Sequence, residues 1–275
     1  MTERPDWRAS LEVSLANPRA DRVKQIRALT GRSARHRYGR FLAEGPGAAT
    51  AAVTHAAERV RDLYVAESAI DRHADAVEVA LAAGLYVHVG TDEVLAAMSS
   101  DCQGIVAVVD IAHASLAEAV RPGARLIAIV ADVRDPGNAG TVIRTADAAG
   151  ADAVVLAGES VELANPKVVR ASAGSVFHLP VVAQVSVPDA VAAAQEAGLT
   201  VVAADVSGAE GLGAAGDDGA VAWLFGNEAR GLSAEHLALA DSAVRIPIFG
   251  RAESLNLAAA AAVCLYSSAI RSTER

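Results

Sequence analysis

Two short apolar runs near the C-terminus constrain the fold most strongly, because a glycine stops each of them. Residues 221–225 run into Gly226, and residues 244–249 run into Gly250. Buried strands that end in glycine-marked loops with a few polar groups form the ligand sites of many α/β proteins. We therefore predict two strands of one sheet, with both loops at a common edge.

A regular alternation of apolar runs and helix-like segments leads up to these two strands. Residues 126–130 form an unbroken apolar run, which is typical of a strand buried in a parallel sheet. Helix-like sequence from 139 to 149 follows and is closed by Gly150. This alternation predicts an α/β fold with a parallel sheet and helices on both sides. Further strands are predicted at residues 153–156, 181–183 and 200–204.

The N-terminal part alternates shorter strands and helices, and we predict that it is a separate small domain. Residues 1–18 are polar, contain two prolines, and are predicted to form a flexible arm. The first domain is predicted to cover residues 19–112. Pro122-Gly123 then marks a linker over residues 113–124, and the second domain covers residues 125–275.

Basic residues are concentrated in one segment, although the whole chain has a net charge of −9. Residues 19–40 contain eight lysines or arginines and one aspartate, a net charge of +7. Clustered positive charge matters more than total charge for phosphate binding, although a solvated basic helix without a partner stays open. We predict RNA contacts from an exposed basic loop at 32–37, from Arg40 shortly after it, and from a helix that begins at Asn165-Pro166. The predicted contact residues are Arg32, Arg35, Arg37, Arg40, Lys167 and Arg170.

Composition narrows the class of protein further. Aromatic residues make up only 4% of the chain, which argues against stacking platforms as the main mode of RNA binding. The two cysteines lie far apart and the seven histidines show no metal-ligand spacing, so we expect neither a disulfide scaffold nor a metal site. We find no secretory signal and no apolar segment long enough to cross a membrane, so a cytoplasmic protein is predicted.

Three motifs, in order, carry a resemblance to a known family. They are Asn138-x-Gly140-x-x-x-Arg144-Thr145-Ala146, then Phe225-Gly226-x-Glu228-x-x-Gly231, then Ile246-Pro247 followed after six residues by Ser254-Leu255-Asn256. Together they resemble the SpoU/TrmH family, the RNA ribose methyltransferases of the SPOUT superfamily. Residues 39–45 and 103–107 resemble the L30e-like substrate-binding domain that precedes the catalytic domain in many of these enzymes.

The resemblance implies a fold, an assembly, a methyl donor and an acceptor. The SPOUT catalytic domain is expected to end in a deep trefoil knot, and the protein is expected to be a homodimer. S-adenosylmethionine is the expected donor, and the expected acceptor is a ribose 2′-hydroxyl of RNA, with 23S ribosomal RNA favoured. Gly226 suits a close backbone approach because it lacks a Cβ. The residues expected at the cofactor are Leu224, Phe225, Gly226, Ile246, Ile248, Leu255 and Asn256.

Five polar residues of the motifs are expected to carry catalysis, and the family pattern marks Arg144 as the catalytic one. A guanidinium has a pKa above about 12 and does not deprotonate, so we expect Arg144 to hold the RNA phosphate and stabilise the developing alkoxide. The group that accepts the proton stays open. Asn138, Ser254 and Asn256 are expected to line the acceptor, Glu228 to orient its neighbours, and Ser254 also to cap the last helix.

Three alternatives stay open. The acceptor could be transfer RNA, or the protein could bind RNA without catalysis. Intact polar residues in all three motifs count against a protein that binds RNA without catalysis. The third alternative is that Gly211-x-Gly213-x-x-Gly216 binds NAD(P), but this pattern requires a helix directly after the glycines, and a strand is predicted there instead.

Overall fold

The computed structural model describes residues 7–212 and 219–273, and these divide into two compact units. The first unit contains the residues up to Ala112 together with Ala164–Phe177. The second unit contains His113–Leu163 and the residues from His178 onward. The boundary at residue 112 coincides with the predicted one. The structure adds that residues 164–177, inside the predicted second domain, group with the first unit.

The first unit is built on a five-stranded mixed sheet in the order β1-β4-β3-β5-β2. Strand β5 runs antiparallel to both of its neighbours, and the other pairs are parallel. The strands are β1 (Val13–Leu15), β2 (Arg40–Glu44), β3 (Val60–Ala66), β4 (Tyr86–Gly90) and β5 (Ile105–Asp110). Its helices, numbered along the whole chain, are α1 (Asp21–Ala28), α2 (Arg32–Tyr38), α3 (Gly45–His55), α4 (Ala74–Ala82), α5 (Asp92–Met98) and α8 (Pro166–Ala171).

The described part of the N-terminal segment is ordered, so the predicted flexible arm at 1–18 was wrong for residues 7–18. Strand β1 pairs in parallel with β4, with Val13 opposite Val89. The Trp7 indole N–H donates a 2.9 Å hydrogen bond to Glu78. The polar sequence of this segment hides the strand because the partner backbone, and not an apolar pattern, supplies the pairing.

The predicted basic loop at 32–37 is helix α2. Gly31 lies in an extended conformation before it, and Gly39 ends it with a φ of 62°, in the left-handed region that favours glycine. Arg35 on this helix is only 3% exposed. Its guanidinium donates to the carbonyls of Leu29 and Thr30, which directly follow helix α1. Arg35 therefore stabilises the end of helix α1. The prediction that it is a surface RNA contact was wrong.

Residues 164–177 complete the core of the first unit. Val169 and Phe177 are buried in the same apolar cluster as Phe41, whose ring stacks on Phe177 with centroids 6.2 Å apart. The Arg170 guanidinium bonds the buried Glu44 carboxylate at 2.7 Å and Asp101 at 3.0 Å. Burial raises the pKa of Glu44, and the positive charge of Arg170 opposes that shift.

Replacing Arg170 by alanine should therefore destabilise the protein by about 2 kcal/mol at neutral pH, because a buried carboxylate loses its partner. This is below the usual ~3–5 kcal/mol for such a loss, since Arg170 is 36% exposed and water screens the pair. Denaturant unfolding should show the loss growing as pH rises through the raised pKa of Glu44, because only the charged form needs Arg170.

The control combines Arg170→Ala with Glu44→Gln, because the second substitution removes the charge that Arg170 neutralises. The double variant should recover part of the lost stability at neutral pH. An equal loss at pH 4 and pH 8 in Arg170→Ala would contradict the role of charge.

The second unit is a seven-stranded parallel sheet in the order β10-β12-β9-β11-β6-β7-β8. The predicted parallel α/β fold is therefore confirmed. The strands are β6 (Leu126–Ala131), β7 (Ala153–Ala157), β8 (Val181–Val185), β9 (Thr200–Ala204), β10 (Glu210–Gly211), β11 (Val221–Phe225) and β12 (Ser242–Arg245). The helices are α6 (Leu116–Ala119), α7 (Pro136–Ala148), α9 (Val187–Glu196), α10 (Ala234–Leu237) and α11 (Leu257–Thr273).

Strand β11 shows how the two faces of this sheet are covered. Ala222 and Leu224 are buried in a cluster with helix α9, whereas Trp223 donates from its indole N–H to Ser268 on helix α11. Helix α11 also packs against α7 and β6. Because successive strand residues point to opposite faces, an unbroken apolar run is what a sheet covered on both sides requires.

The predicted strand at 244–248 ends at Arg245, because Pro247 cannot donate a hydrogen bond to a neighbouring strand. Most of the glycine-rich stretch Gly211–Gly216, which the sequence disfavoured as an NAD(P) site, lies outside the described residues, from Gly213 on. No helix within the described ranges is long and apolar enough to cross a membrane.

Candidate active site

The carboxyl ends of β6, β9 and β11 bring three polar loops to one edge of the second unit's sheet. These strands are neighbours in the order β9-β11-β6. Parallel strands all end at the same edge, which is where open α/β sheets bind their ligands. Residues 132–135 follow β6, residues 205–206 follow β9, and residues 226–231 follow β11.

A cavity of about 320 Å³ lies at this edge, which is within the range of small-molecule sites. It is lined by the loop after β9, the loop after β11, and the segment between β12 and α11. Five of the seven predicted cofactor residues line it, together with two of the predicted catalytic residues. These seven are Phe225, Gly226, Ile246, Ile248, Leu255, Glu228 and Ser254.

Leu224 and Asn256 are the two predicted cofactor residues that do not line the cavity. Leu224 is completely buried in the cluster on the other side of the sheet, because it points away from the face that Phe225 occupies. Asn256 caps helix α11 by accepting a 2.9 Å hydrogen bond from the N–H of Ala258. The prediction that Ser254 caps this helix was therefore wrong, because the helix begins three residues later, at Leu257.

Gly226 is required by the loop's own backbone. A Cβ placed on Gly226 would lie 2.2 Å from the carbonyl carbon of Gly231, closer than any real contact. The backbones of Asn227 and Gly231 exchange two hydrogen bonds, which draws the loop into this tight turn. From the sequence, the missing Cβ of Gly226 was expected to make room for a ligand. The structure shows that closing the loop already demands it.

Glu228 joins the first and second motifs through three hydrogen bonds. Its carboxylate accepts from the backbone N–H groups of Arg134 (3.3 Å) and Asp135 (3.1 Å). It also accepts from the side-chain amide of Asn138 at 3.2 Å. The predicted orienting role of Glu228 thus has a geometric basis, because the loop before helix α7 is held by this carboxylate.

Asn138 extends this connection to the third motif. Its side-chain oxygen accepts a 3.0 Å hydrogen bond from the amide of Asn256. Its own backbone N–H is bound by Asp135, which caps helix α7. Glu228, Asn138 and Asn256 therefore form a continuous chain of hydrogen bonds across the three motifs, although up to 118 residues separate them.

Arg144 is exposed on helix α7, six residues beyond Asn138. At a rise of about 1.5 Å per residue it lies roughly 9 Å further along the helix axis, and it does not line the cavity. In the described part of the chain its guanidinium has no hydrogen bond or ion pair. The structure therefore does not bring Arg144 to the other motif residues, and leaves its charge available.

The predicted RNA-binding residues, all in the first unit, have different environments. Arg32, Arg37 and Lys167 are exposed, and Arg37 also lies over the Tyr38 ring at 5.4 Å. Arg40 is half-buried and bonds Asp110, whose pKa is lowered mainly by Arg61 and further by Arg40. Arg170, like Arg35, is committed to contacts within the unit.

Two charged residues of the cavity were not predicted from the sequence. Asp205 follows β9 directly, and Arg230 lies between Glu228 and Gly231. Because polar residues directly after a buried strand gather at the ligand edge, the position of Asp205 could have revealed it. With two carboxylates and one guanidinium on its lining, the cavity suits a ligand that carries both positive and negative charge.

Within the described ranges, no three histidine, cysteine, aspartate or glutamate side chains come together as a metal site would require. The predicted absence of a metal stays a prediction. The acid groups of the site instead accept hydrogen bonds from backbone and amide donors, as Glu228 and Asp205 do.

Similar proteins are RNA methyltransferases. The 23S rRNA (guanosine(2553)-2'-O)-methyltransferase RlmP of Bacillus subtilis is 39% identical over 143 residues, which are 52% of this chain and 57% of that protein. The 23S rRNA (guanosine-2'-O-)-methyltransferase RlmB of Bordetella pertussis is 32% identical over 230 residues, which are 80% of this chain and 93% of that protein. The structure of AviRb from Streptomyces viridochromogenes with AdoMet superposes with a TM-score of 0.82 at 32% identity, and covers 93% of this chain and 100% of its own.

These matches define the class of protein as an RNA methyltransferase. The model of the SpoU rRNA Methylase family matches residues 125–266, and that of the MRM3-like substrate binding domain matches residues 20–107. The chain belongs to the SpoU rRNA methylase family, which confirms the resemblance that its three motifs predicted.

Proposed function

We propose that this protein transfers the methyl group of S-adenosylmethionine to a ribose 2′-hydroxyl of 23S ribosomal RNA. The observation that carries the proposal is the hydrogen-bonded chain from Glu228 through Asn138 to Asn256, which joins all three motifs beside one cavity. Relatives with that activity cover most of the chain, which favours ribosomal RNA over transfer RNA and over a silent binding protein. Acting on ribosomal RNA, the protein would work in the cytoplasm.

The cofactor fits the cavity by size and charge. S-adenosylmethionine supplies a methyl group on a sulfonium, and its amino-acid end carries an ammonium and a carboxylate. Asp205 and Arg230 offer opposite charges to those two groups, while Ile246, Ile248 and Leu255 offer apolar surface. Backbone groups of the Gly226 loop complete the binding surface.

Methyl transfer to a hydroxyl is an in-line displacement, so the protein must align the acceptor and stabilise the charge that develops on its oxygen. We assign Arg144 to the RNA phosphate and the developing alkoxide. Ser254, at the cavity, would contact the acceptor, and Asn138 and Asn256 would form the polar wall beside it. Glu228 acts through Asn138, as a positioning residue.

Assembly as a homodimer is part of the proposal. Val263 and Tyr266 are exposed and lie three residues apart, so they share one face of helix α11. An exposed apolar face of this kind favours association with a second copy. Light scattering at micromolar concentration that finds only a monomer would overturn the dimer.

A deep trefoil knot and an L30e-like first domain complete the proposed fold.

The function is tested by methylation of an unmodified 23S rRNA transcript, with transfer RNA as the comparison substrate. We expect one 2′-O-methylated nucleotide in the ribosomal transcript and none in transfer RNA. Calorimetry should show binding of S-adenosylhomocysteine and not of NADH. No methylation of either RNA, despite cofactor binding, would support the silent RNA-binding protein instead.

RNA affinity is expected to depend on the exposed basic residues of helix α2. Combined Arg32→Glu and Arg37→Glu changes should weaken RNA binding and reduce its salt dependence by about 0.7–0.9 in the log–log slope for each lost phosphate contact. Filter binding between 50 and 200 mM salt measures both quantities. Arg35 must stay unchanged, because its reversal would disrupt the end of helix α1.

The control is Arg121→Glu, which reverses an exposed arginine outside the basic segment. It should leave both RNA affinity and salt slope near those of the wild type. Unchanged affinity in the double variant would mean that helix α2 is a solvated basic surface and nothing more.

A further inference from the structure

Phe249 is a large apolar side chain with almost no protein contact. It is 95% exposed, the highest value among the exposed large hydrophobic residues of the described chain. Aromatic residues are few in this protein, and half of them, including Trp223 and Phe225, are buried. Covering a phenyl ring that is exposed to water lowers the free energy. The exposure of Phe249 therefore indicates a surface that a partner covers.

The position of Phe249 connects it to the proposed active site. It lies in the segment between β12 and α11, directly after Ile248 and five residues before Ser254. Both of those residues line the cavity. Three other exposed aromatics, Tyr38, Tyr86 and Tyr266, lie on other elements. Among the described residues, Phe249 is thus the exposed aromatic that directly adjoins a cavity residue in the sequence, because Tyr266 lies six residues beyond Ala260 on helix α11.

Two arginines lie near Phe249 in the sequence. Arg245 is four residues before it and Arg251 is two residues after it, whereas the nearest acids, Asp241 and Glu253, lie eight residues before and four residues after it. Both arginines are exposed. A ring between two cations presents a π-face for a base together with charges for the flanking phosphates.

We propose that Phe249 stacks on a base at or next to the methylated nucleotide and so positions its ribose at the cavity. This inference rests on the proposed function, because it concerns the acceptor of that reaction. Bases in single-stranded or splayed-out RNA are commonly held by stacking on aromatic side chains. A single such ring does not conflict with the low aromatic content, since basic residues would still supply most of the affinity.

The kinetic test compares Phe249→Ala, Phe249→Leu and Phe249→Trp in single-turnover methylation of an unmodified 23S rRNA transcript. We expect kcat/KM to fall about 10- to 50-fold in the alanine and leucine variants, and to stay within about threefold of the wild type in the tryptophan variant. Tyr86→Ala, which removes another exposed aromatic, is the matched control and should not change the rate. Affinity for S-adenosylhomocysteine and the oligomeric state should be unchanged.

A crosslinking test separates this inference from the proposed function, because it requires no catalysis. The photoreactive analogue p-benzoylphenylalanine replaces Phe249, and the full-length protein is irradiated with the same transcript. We expect crosslinks at one defined site of the RNA, and this site should lie within two nucleotides of any position that the wild type methylates. If the wild type does not methylate the transcript, a crosslink confined to one site still supports the contact.

Several outcomes would overturn the proposal. Crosslinks to a second copy of the chain, or loss of the dimer in Phe249→Ala, would make the residue part of a subunit interface. Full activity in Phe249→Leu would show that no aromatic ring is needed. A parallel fall in cofactor affinity would place Phe249 at the cofactor.

Discussion

Arg144→Ala should remove most methyl transfer while leaving the fold and the cofactor affinity nearly intact. Arg144 is exposed, lines no part of the cavity, and has no hydrogen-bonding or ionic partner among the residues that the structure describes. Its removal therefore breaks no contact within the protein. Loss of one preorganised electrostatic contact to a transition state typically slows the reaction by about 10²- to 10³-fold. Single-turnover methylation of a 23S rRNA transcript measures the effect.

Arg144→Lys should recover little of this loss. A guanidinium binds a phosphate through two parallel hydrogen bonds, whereas a lysine ammonium is a point charge that cannot reproduce this geometry. Arg121→Ala, another exposed arginine, serves as the control and should keep wild-type rates. A wild-type rate in Arg144→Ala would remove the residue from the mechanism. Loss of cofactor binding would instead assign it to the cofactor site.

Glu228→Ala should lower methyl transfer by about 10²-fold through a different route. The carboxylate holds two backbone N–H groups, of Arg134 and Asp135, and the amide of Asn138. Without it, the start of helix α7 and the Asn138 side chain lose their fixed position, and small misplacements at a reacting centre cost about this factor. Because Glu228 is exposed, water replaces much of the lost bonding, and stability should fall by only about 1–2 kcal/mol.

Glu228→Gln distinguishes the role of hydrogen bonding from that of charge. One amide oxygen in place of Oε1 can still accept from Asp135 and Asn138, whereas the amide nitrogen would face the N–H of Arg134. We therefore expect activity between that of the wild type and that of the alanine variant. Glu253→Ala, in the segment before helix α11, is the control. A glutamine variant as slow as the alanine variant would mean that the negative charge itself is required.

Local patterns predicted most of the second unit's strands. The predicted strands at 200–204 and 221–225 have the same bounds in the structure, because each is an unbroken apolar run that ends at a polar residue or a glycine. The end of β12 at Arg245 was missed because the apolar run continues to Phe249. The apolar residues after Arg245 are not buried in the sheet: Ile248 lines the cavity and Phe249 is exposed.

Motif spacing predicted which residues of the site come together, but not how they do so. The polar residues Asn138, Glu228 and Asn256 were expected near one another, and they are joined by hydrogen bonds. The helix cap was assigned to Ser254 instead of Asn256, since both residue types suit a cap and only the helix start decides between them.

By itself, the sequence determined the elements whose stability is local: buried strands, the α/β class, the order of the motifs and hence the family. The tertiary structure alone decided which side chains are available. Arg35 and Arg170 look like surface cations in the sequence, yet one stabilises a helix end and the other neutralises a buried glutamate. Likewise, residues 164–177 group with the first unit because their apolar side chains are buried there. Such contacts join residues as far as 126 positions apart, so no local pattern records them.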